Sequence, residues 1–302
     1  YSSGICSRSA DTFMGRLGVY GVAVFYILSG LTLFHVYHEN MTPTWQEVKS
    51  FFKKRFFRIF PLLWIITIIA VLVSRKTPDF FHLFLNLSGL FGFVAWDITF
   101  SGGVWSIGNE LVFYVFFPVF IYLSHKSQGW FWLLGIVIFS VFIFFAFVKF
   151  YSGMPFSQEQ NAYFNPLNNL FLFFGGFVIG KFIGQINISF AILLLIFLTG
   201  FGLFIFYPAF GKRIDLIMGV NRLVFTCSSF LICIAFYKLS YKMPDFIHKP
   251  FTLLGESSYS IYLIHPLVMK INKMVLGVYS IPYFYILIIS IIRLQKKYLF
   301  DL

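Results

Sequence analysis

Apolar residues run unbroken through stretches of roughly 17 to 25 residues, and such stretches recur along the whole chain. Nine membrane-crossing helices are predicted from them, at about 18–37, 56–74, 104–124, 130–149, 166–184, 188–207, 220–238, 255–276 and 280–294. The runs are continuous rather than alternating, which excludes a β-barrel. In lipid, each backbone amide must be satisfied within its own segment, so the fold class is all-α, a polytopic transmembrane helix bundle. Segment 80–96 is apolar but interrupted, and fits an interfacial or re-entrant helix better than a full span. No connection is long enough for an appended soluble domain, so residues 1–302 read as a single integral-membrane domain.

Composition agrees. Hydrophobic residues make up 59% of the chain and charged residues 11%, with a mean hydropathy of +0.84; a soluble domain carries about 25% charged residues. The net charge of +12 would suit nucleic acid only if Lys and Arg clustered on a soluble face. Here they sit mainly in short connections between spans, so the excess reads as membrane anchoring and no nucleic-acid partner is expected. Cys6, Cys227 and Cys233 form no disulfide framework, and the last two, inside an apolar span, read as core residues. Asn40, Asn86 and Asn187 each head a glycosylation triplet, a pattern that arises often by chance.

Orientation follows from the basic residues. If the loop with Lys49, Lys53, Lys54, Arg55 and Arg58 is cytoplasmic, so are Lys126, Lys181, Lys238, Lys242, Lys249 and the tail residues Arg293, Lys296 and Lys297. The overall bias is modest, and the strongest cluster decides it. The first predicted span then starts outside and the last ends inside. The chain opens on Tyr1 without a signal peptide. One further span before Tyr1 is therefore expected, giving ten helices with both ends in the cytoplasm.

Candidate chemistry lies in four places. Lys53-Lys54-Arg55-Phe56-Phe57-Arg58 abuts an apolar run and is first a topology anchor. It also sets Arg55 and Arg58 three residues apart on one helical face, where two planar guanidiniums could hold a phosphorylated donor. In the third predicted span, Ser106, Glu110 and Tyr114 recur at i, i+4 and i+8 and share a face. A carboxylate there costs a few kcal/mol unless paired or hydrated, so Glu110 is either paired with an arginine for packing or lines a polar site as an acid or base. In the eighth, Ser258, Tyr262 and His265 form a second polar stripe beside Tyr259. Pro266 frees a carbonyl next to His265 unless a neighbour satisfies it, and His265 reads equally as functional or as an interhelical hydrogen bond. In the first, Ser29-Gly30 reads foremost as a site of close helix packing. No metal-ligating constellation is read.

Taken together, four segments resemble acyltransferase family 3, the polytopic membrane enzymes that O-acylate cell-surface glycans and other molecules. They are Gly21 to Gly30, Arg55-Phe56-Phe57-Arg58-Ile59-Phe60-Pro61, Trp105-Ser106-Ile107-Gly108-Asn109-Glu110 with Tyr114 and Pro118, and Ser258 to Pro266. Their order and spacing span nearly the whole chain. The resemblance implies ten helices, an acyl-CoA donor at the cytoplasmic side and an acceptor hydroxyl at or beyond the outer face. Arg55 and Arg58 match the family's Arg-x-x-Arg element and would bind the CoA phosphates. Glu110 and Tyr114 match its Trp-Ser-Leu-x-x-Glu helix. Two departures accompany it: the family's first helix, with a basic residue and a histidine about ten residues on, has no counterpart before Gly18, and Ala23 stands where many members have Asp, the mark of a subgroup with a different acceptor.

The expected activity is transfer of an acyl group, acetyl first, from acyl-CoA to a hydroxyl of a cell-surface glycan or related acceptor. A histidine on the preceding helix would act as base or transient acyl carrier. Glu110, Tyr114 and His265 are the candidate catalytic residues. Ser29, Gly30, Trp105, Ser106, Ser258 and Tyr259 are expected to line or support the site. No cofactor is expected to stay bound, acyl-CoA being a co-substrate, and the resemblance implies a bacterial plasma membrane. Two rivals stand beside this: a transporter or flippase for a glycan or lipid intermediate, whose polar stripes would look similar, and a non-catalytic remnant.

Overall fold

The computed structural model describes residues 12–42, 44–74, 77–150, 158–239 and 244–276. Every regular element among them is helical. Helix α1 spans Phe13–Tyr37, α2 Trp45–Ser74, α3 Phe80–Ser88, α4 Phe91–Val94, α5 Trp105–Lys126, α6 Gln128–Phe144, α7 Gln160–Phe164, α8 Pro166–Val178, α9 Phe190–Phe206, α10 Gly219–Lys238 and α11 Asp245–Leu276. Helices α6 and α8 each run on into a π turn, Phe145–Lys149 and Ile179–Ile183.

Local chemistry sets the ends. The Thr12 hydroxyl accepts from the Gly15 amide at 3.1 Å and starts α1. The Asp79 carboxylate caps α3 through the His82 amide at 3.0 Å. Gly89, with φ of 76°, ends α3 in the left-handed conformation that a side chain disfavours. Asn165 accepts from the Leu167 amide at 2.9 Å and Pro166 opens α8 at the position where its missing N–H costs least.

Six of these helices are long and apolar enough to cross a membrane: α1, α2, α5, α6 with its π turn, α7 continuing into α8, and α10. Helix α9 is apolar and shorter, at 17 residues. Segment 80–96 holds two short helices, α3 and α4, broken at Gly89. Helix α11 begins at Asp245, before the predicted 255, and is not among the six; Glu256, Lys270 and its run of hydroxyls dilute its apolar surface. The predicted span 280–294 lies outside the described residues. Large apolar side chains cover the outside, among them Leu72, Ile136, Leu195 and Leu198, as a lipid-facing surface requires.

The chain divides into two compact units, one of Tyr1–Phe52 and Asn109–Ser240, the other of Lys53–Gly108 and Tyr241–Leu302. The division falls inside α2 and α5. In the first unit α1 packs on α8 and α10, α9 on α10, and α6 on α8. Its core is aromatic: Phe113, Phe117 and Phe120 of α5 meet Phe173 and Phe177 of α8. Small residues let the backbones touch. A Cβ on Gly30 would lie 2.0 Å from the Phe173 carbonyl oxygen, and one on Gly176 would lie 2.0 Å from that of Ile27. The Ser228 hydroxyl of α10 donates to the Gly200 carbonyl of α9 at 2.7 Å, a hydrogen bond between helices where lipid offers no hydrophobic force to hold them.

In the second unit the Trp64 indole donates to the Leu87 carbonyl at 2.8 Å. Asn86 is fully buried and its amide donates to the carbonyls of His82 and Ile98 at 2.9 and 3.0 Å, so in this fold it is no glycan acceptor. Gly92 meets Gly108 backbone to backbone. Among the cysteines, Cys233 is buried as expected, while Cys227 faces outward, corrected by its place on the exposed side of α10.

Candidate active site

The opening of α5 and the middle of α11 meet inside the second unit. A Cβ on Gly103 would lie 3.2 Å from the Tyr262 carbonyl oxygen and 3.5 Å from the Pro266 ring. Trp105 and Ser106 follow at once and are buried, the Ser106 hydroxyl donating to the Gly103 carbonyl at 2.9 Å. Pro266 has no N–H for the Tyr262 carbonyl four residues earlier. The His265 ring takes its place: Nδ1 lies within hydrogen-bond distance of that oxygen. A carbonyl only accepts, so Nδ1 carries the proton, and in the neutral ring Nε2 is then the basic nitrogen. Ser258 is half-buried and bonds back to the Gly255 carbonyl at 2.7 Å; Tyr259 is half-buried beside it.

Arg55 and Arg58 belong to the same unit, on the part of α2 that follows Lys53. Arg55 is half-buried and Arg58 exposed, with exposed Phe56 and Phe57 between them. No carboxylate pairs with Arg58 among the described residues.

Glu110 and Tyr114 belong to the first unit. The Tyr114 hydroxyl donates to Glu110 Oε2 at 3.2 Å, so the carboxylate has a hydroxyl partner one turn on. Beside it, fully buried Asn109 donates to the Tyr26 hydroxyl at 3.1 Å, tying α5 to α1. Ser29 is half-buried on α1, and Gly30 sits at the α1–α8 crossing described above. The candidate residues thus fall in two units: Arg55, Arg58, Trp105, Ser106, Ser258, Tyr259 and His265 in the second, Glu110, Tyr114, Ser29 and Gly30 in the first. The contacts among them are those just described, between the opening of α5 and α11 and between Glu110 and Tyr114.

A polar interior at one end of the first unit was not read from the sequence. Arg222 of α10 is 5% exposed; its Nη2 donates to the Asn168 carbonyl at 2.8 Å and its guanidinium lies 4.3 Å from the centre of the Phe142 ring. Arg16 of α1 is 4% exposed and gathers the end of α9, donating to the carbonyls of Phe204, Ile205 and Tyr207 at 2.7 to 2.8 Å. The Tyr20 hydroxyl donates to the Leu216 carbonyl at 2.6 Å. The signal was available: a cation within an apolar helix is costly and by default functional or partnered.

The opposite end of this unit is basic. Lys181 donates to the Ser124 carbonyl at 2.7 Å, Lys238 to that of Gly184 at 3.0 Å, and His125 to that of His38 at 2.9 Å. His38 stacks on His125 with ring centres 4.3 Å apart. Burial first, then the charges of His125 and Lys181, push the His38 pKa down to about 4 from 6.5. A depressed pKa means that the folded state favours neutral His38. Its contribution to stability is complete above pH 6.5 and is lost as pH falls from there through about 4. The thermal midpoint is expected to decline across that window, and His38→Gln to flatten the decline; an unchanged slope in the variant would refute the assignment.

The acyltransferase-domain model of acyltransferase family 3 matches residues 4–293, nearly the whole chain. The protein belongs to this family. No curated protein and no solved structure matches it. It is a membrane acyltransferase, integral and multi-pass, and the match covers most of both compact units.

Proposed function

We infer that this acyltransferase moves an acyl group, acetyl foremost, from acyl-CoA at the cytoplasmic face to a hydroxyl of a cell-surface glycan, in a bacterial plasma membrane. The two units then work as one enzymatic domain. The observation that carries the donor is Arg58, an exposed guanidinium without a carboxylate partner among the described residues, one turn from Arg55. Paired guanidiniums suit the phosphates of CoA, which each can hold in a two-pronged grip. In the transfer, a histidine base removes the acceptor hydroxyl proton, the oxygen attacks the thioester carbonyl, the carbon–sulfur bond breaks, and CoA leaves as a thiolate that takes up a proton. His265, with Nδ1 held by the Tyr262 carbonyl, supports or supplies that base. Glu110 and Tyr114 line and tune the path.

Membrane vesicles holding the full chain, given acetyl-CoA labelled in the acetyl group, are expected to place the label in ester linkage on glycan. Glu110→Gln is expected to lower the rate about a hundredfold. Glycan uptake into vesicles without an acyl donor, and no label transferred, would overturn the reading in favour of a transporter.

A further inference from the structure

Helix α5 carries two side-chain pairs on neighbouring faces, the members of each pair one turn apart. Asn109 and Phe113 close on Tyr26 of α1. The Asn109 amide donates to the Tyr26 hydroxyl at 3.1 Å, and the Phe113 ring meets the Tyr26 ring edge-on, with centres 5.0 Å apart. All three are buried, Asn109 and Phe113 fully. Glu110 and Tyr114, joined by their own hydrogen bond, come one residue later and so sit about 100° further round the helix. Tyr114 is buried with its ring edge-on to Phe51 at 6.0 Å, while Glu110 is half-buried.

A leucine facing a phenylalanine would fill the same space without taking an amide and a hydroxyl out of water. What the polar pair adds is direction. The same face of α5 continues as Phe113, Phe117 and Phe120, and all three rings meet Phe173 of α8. Rings so alike fit one another's places, and a slip of one turn would carry α5 about 5.4 Å along its axis. A small rotation would also cost the apolar contacts little, because burial of apolar surface has no preferred direction. A hydrogen bond has one, and a single polar residue in an apolar seam is a means of fixing register. Helix α1 is itself seated on α8 by the close crossing at Gly30 and Gly176. Asn109 is therefore bonded to a helix that is already fixed.

We propose that Tyr26 and Asn109 are positioning residues for Glu110: the bond between α1 and α5 sets the rotation and depth of α5, and with them the place at which the carboxylate is held. Neither side chain touches the reacting atoms. The part Glu110 plays in turnover rests on the acyl-transfer reading; its placement by the pair does not.

Tyr26→Phe removes the hydroxyl and keeps the ring. In membrane vesicles given acetyl-CoA labelled in the acetyl group, it is expected to lower kcat about tenfold and to leave KM for acetyl-CoA unchanged. Asn109→Leu is expected to do the same, and the double variant to lose no more than the worse single one, because both remove one bond. In a Glu110→Gln background, Tyr26→Phe is expected to cause no further loss. Ser228→Ala is the structural control, since it breaks another buried bond between helices; it is expected to lower the thermal midpoint and leave kcat unchanged. The infrared band of the Glu110 carboxyl group, identified by its disappearance in Glu110→Gln, needs no substrate. It is expected to move in Tyr26→Phe and to stay in place in Ser228→Ala. An unchanged kcat in Tyr26→Phe, a loss that persists in the Glu110→Gln background, an equal loss in Ser228→Ala, or an unmoved band would overturn the proposal. If Asn109→Leu does not fold, Tyr26→Phe alone decides. A band that moves in a protein whose wild type transfers no acyl group would leave the positioning assigned and remove only the acyl-transfer reading.

Discussion

Arg58→Ala is expected to abolish acyl transfer, a loss of at least about a hundredfold, while leaving the amount of protein in the membrane near normal. The size follows from removing one partner of a charge-assisted pair, about 3 kcal/mol. The sparing of the fold follows from exposure: Arg58 is on the surface and no carboxylate depends on it among the described residues, so truncation costs within about 0.5 kcal/mol of stability. Lys53 and Lys54 remain to anchor the loop. Arg58→Lys should recover only part of the activity, since a point charge cannot reproduce a planar fork. Activity measured per unit of inserted protein separates the readings. If the variant fails to insert and its inserted fraction is fully active, Arg58 is a topology anchor.

The largest structural effect is expected at Gly176. A Cβ there would sit 2.0 Å from the Ile27 carbonyl oxygen and 2.9 Å from the Leu31 amide nitrogen. Both obstacles are backbone, so no side chain can swing away. A Cβ on Gly30, at the same crossing, would lie 2.0 Å from the Phe173 carbonyl oxygen. Gly176→Leu must push α1 from α8, breaking the contact on which the first unit is organised, at a cost of about 3 kcal/mol or more. Against a total stability of roughly 5–15 kcal/mol, detergent-extracted protein is expected to lose its monodisperse peak in size-exclusion chromatography. Gly202→Leu is the control, because a Cβ there meets nothing within 4 Å. Equal behaviour of the two variants would show that the crossing is not so close.

The spans were legible because lipid imposes one rule on every one of them: a long apolar helix. Residues 104–124 and 220–238 were read within two residues of α5 and α10. The break at Gly89 was legible as an interruption. Where the reading went astray, charge was the reason. Helix α1 starts at Phe13, not Gly18, because Arg16 looks like a polar flank when its partners, the carbonyls of α9, are far along the chain. Arg222 lay inside the predicted span 220–238 but was not singled out, and with it the polar interior of the first unit was missed. Helix α2 likewise runs back to Trp45, through the basic cluster, which periodicity alone does not require. At the candidate site, the freed carbonyl was visible from Pro266. That the His265 ring itself would take it, fixing which nitrogen is basic, needed the helix geometry.

The grip of Arg16 on the end of α9 also says something about how the molecule is made. The carbonyls it holds lie 188 to 191 residues later in the chain. During synthesis those acceptors do not yet exist when α1 enters the bilayer. For most of translation the guanidinium has to stay with water or lipid headgroups at the surface, and α1 can settle to its final depth only after α9 arrives. The first described helix to emerge from the ribosome is thus among the last to finish, and a chain stopped before Phe204 would leave its arginine without the cap that lets it sink.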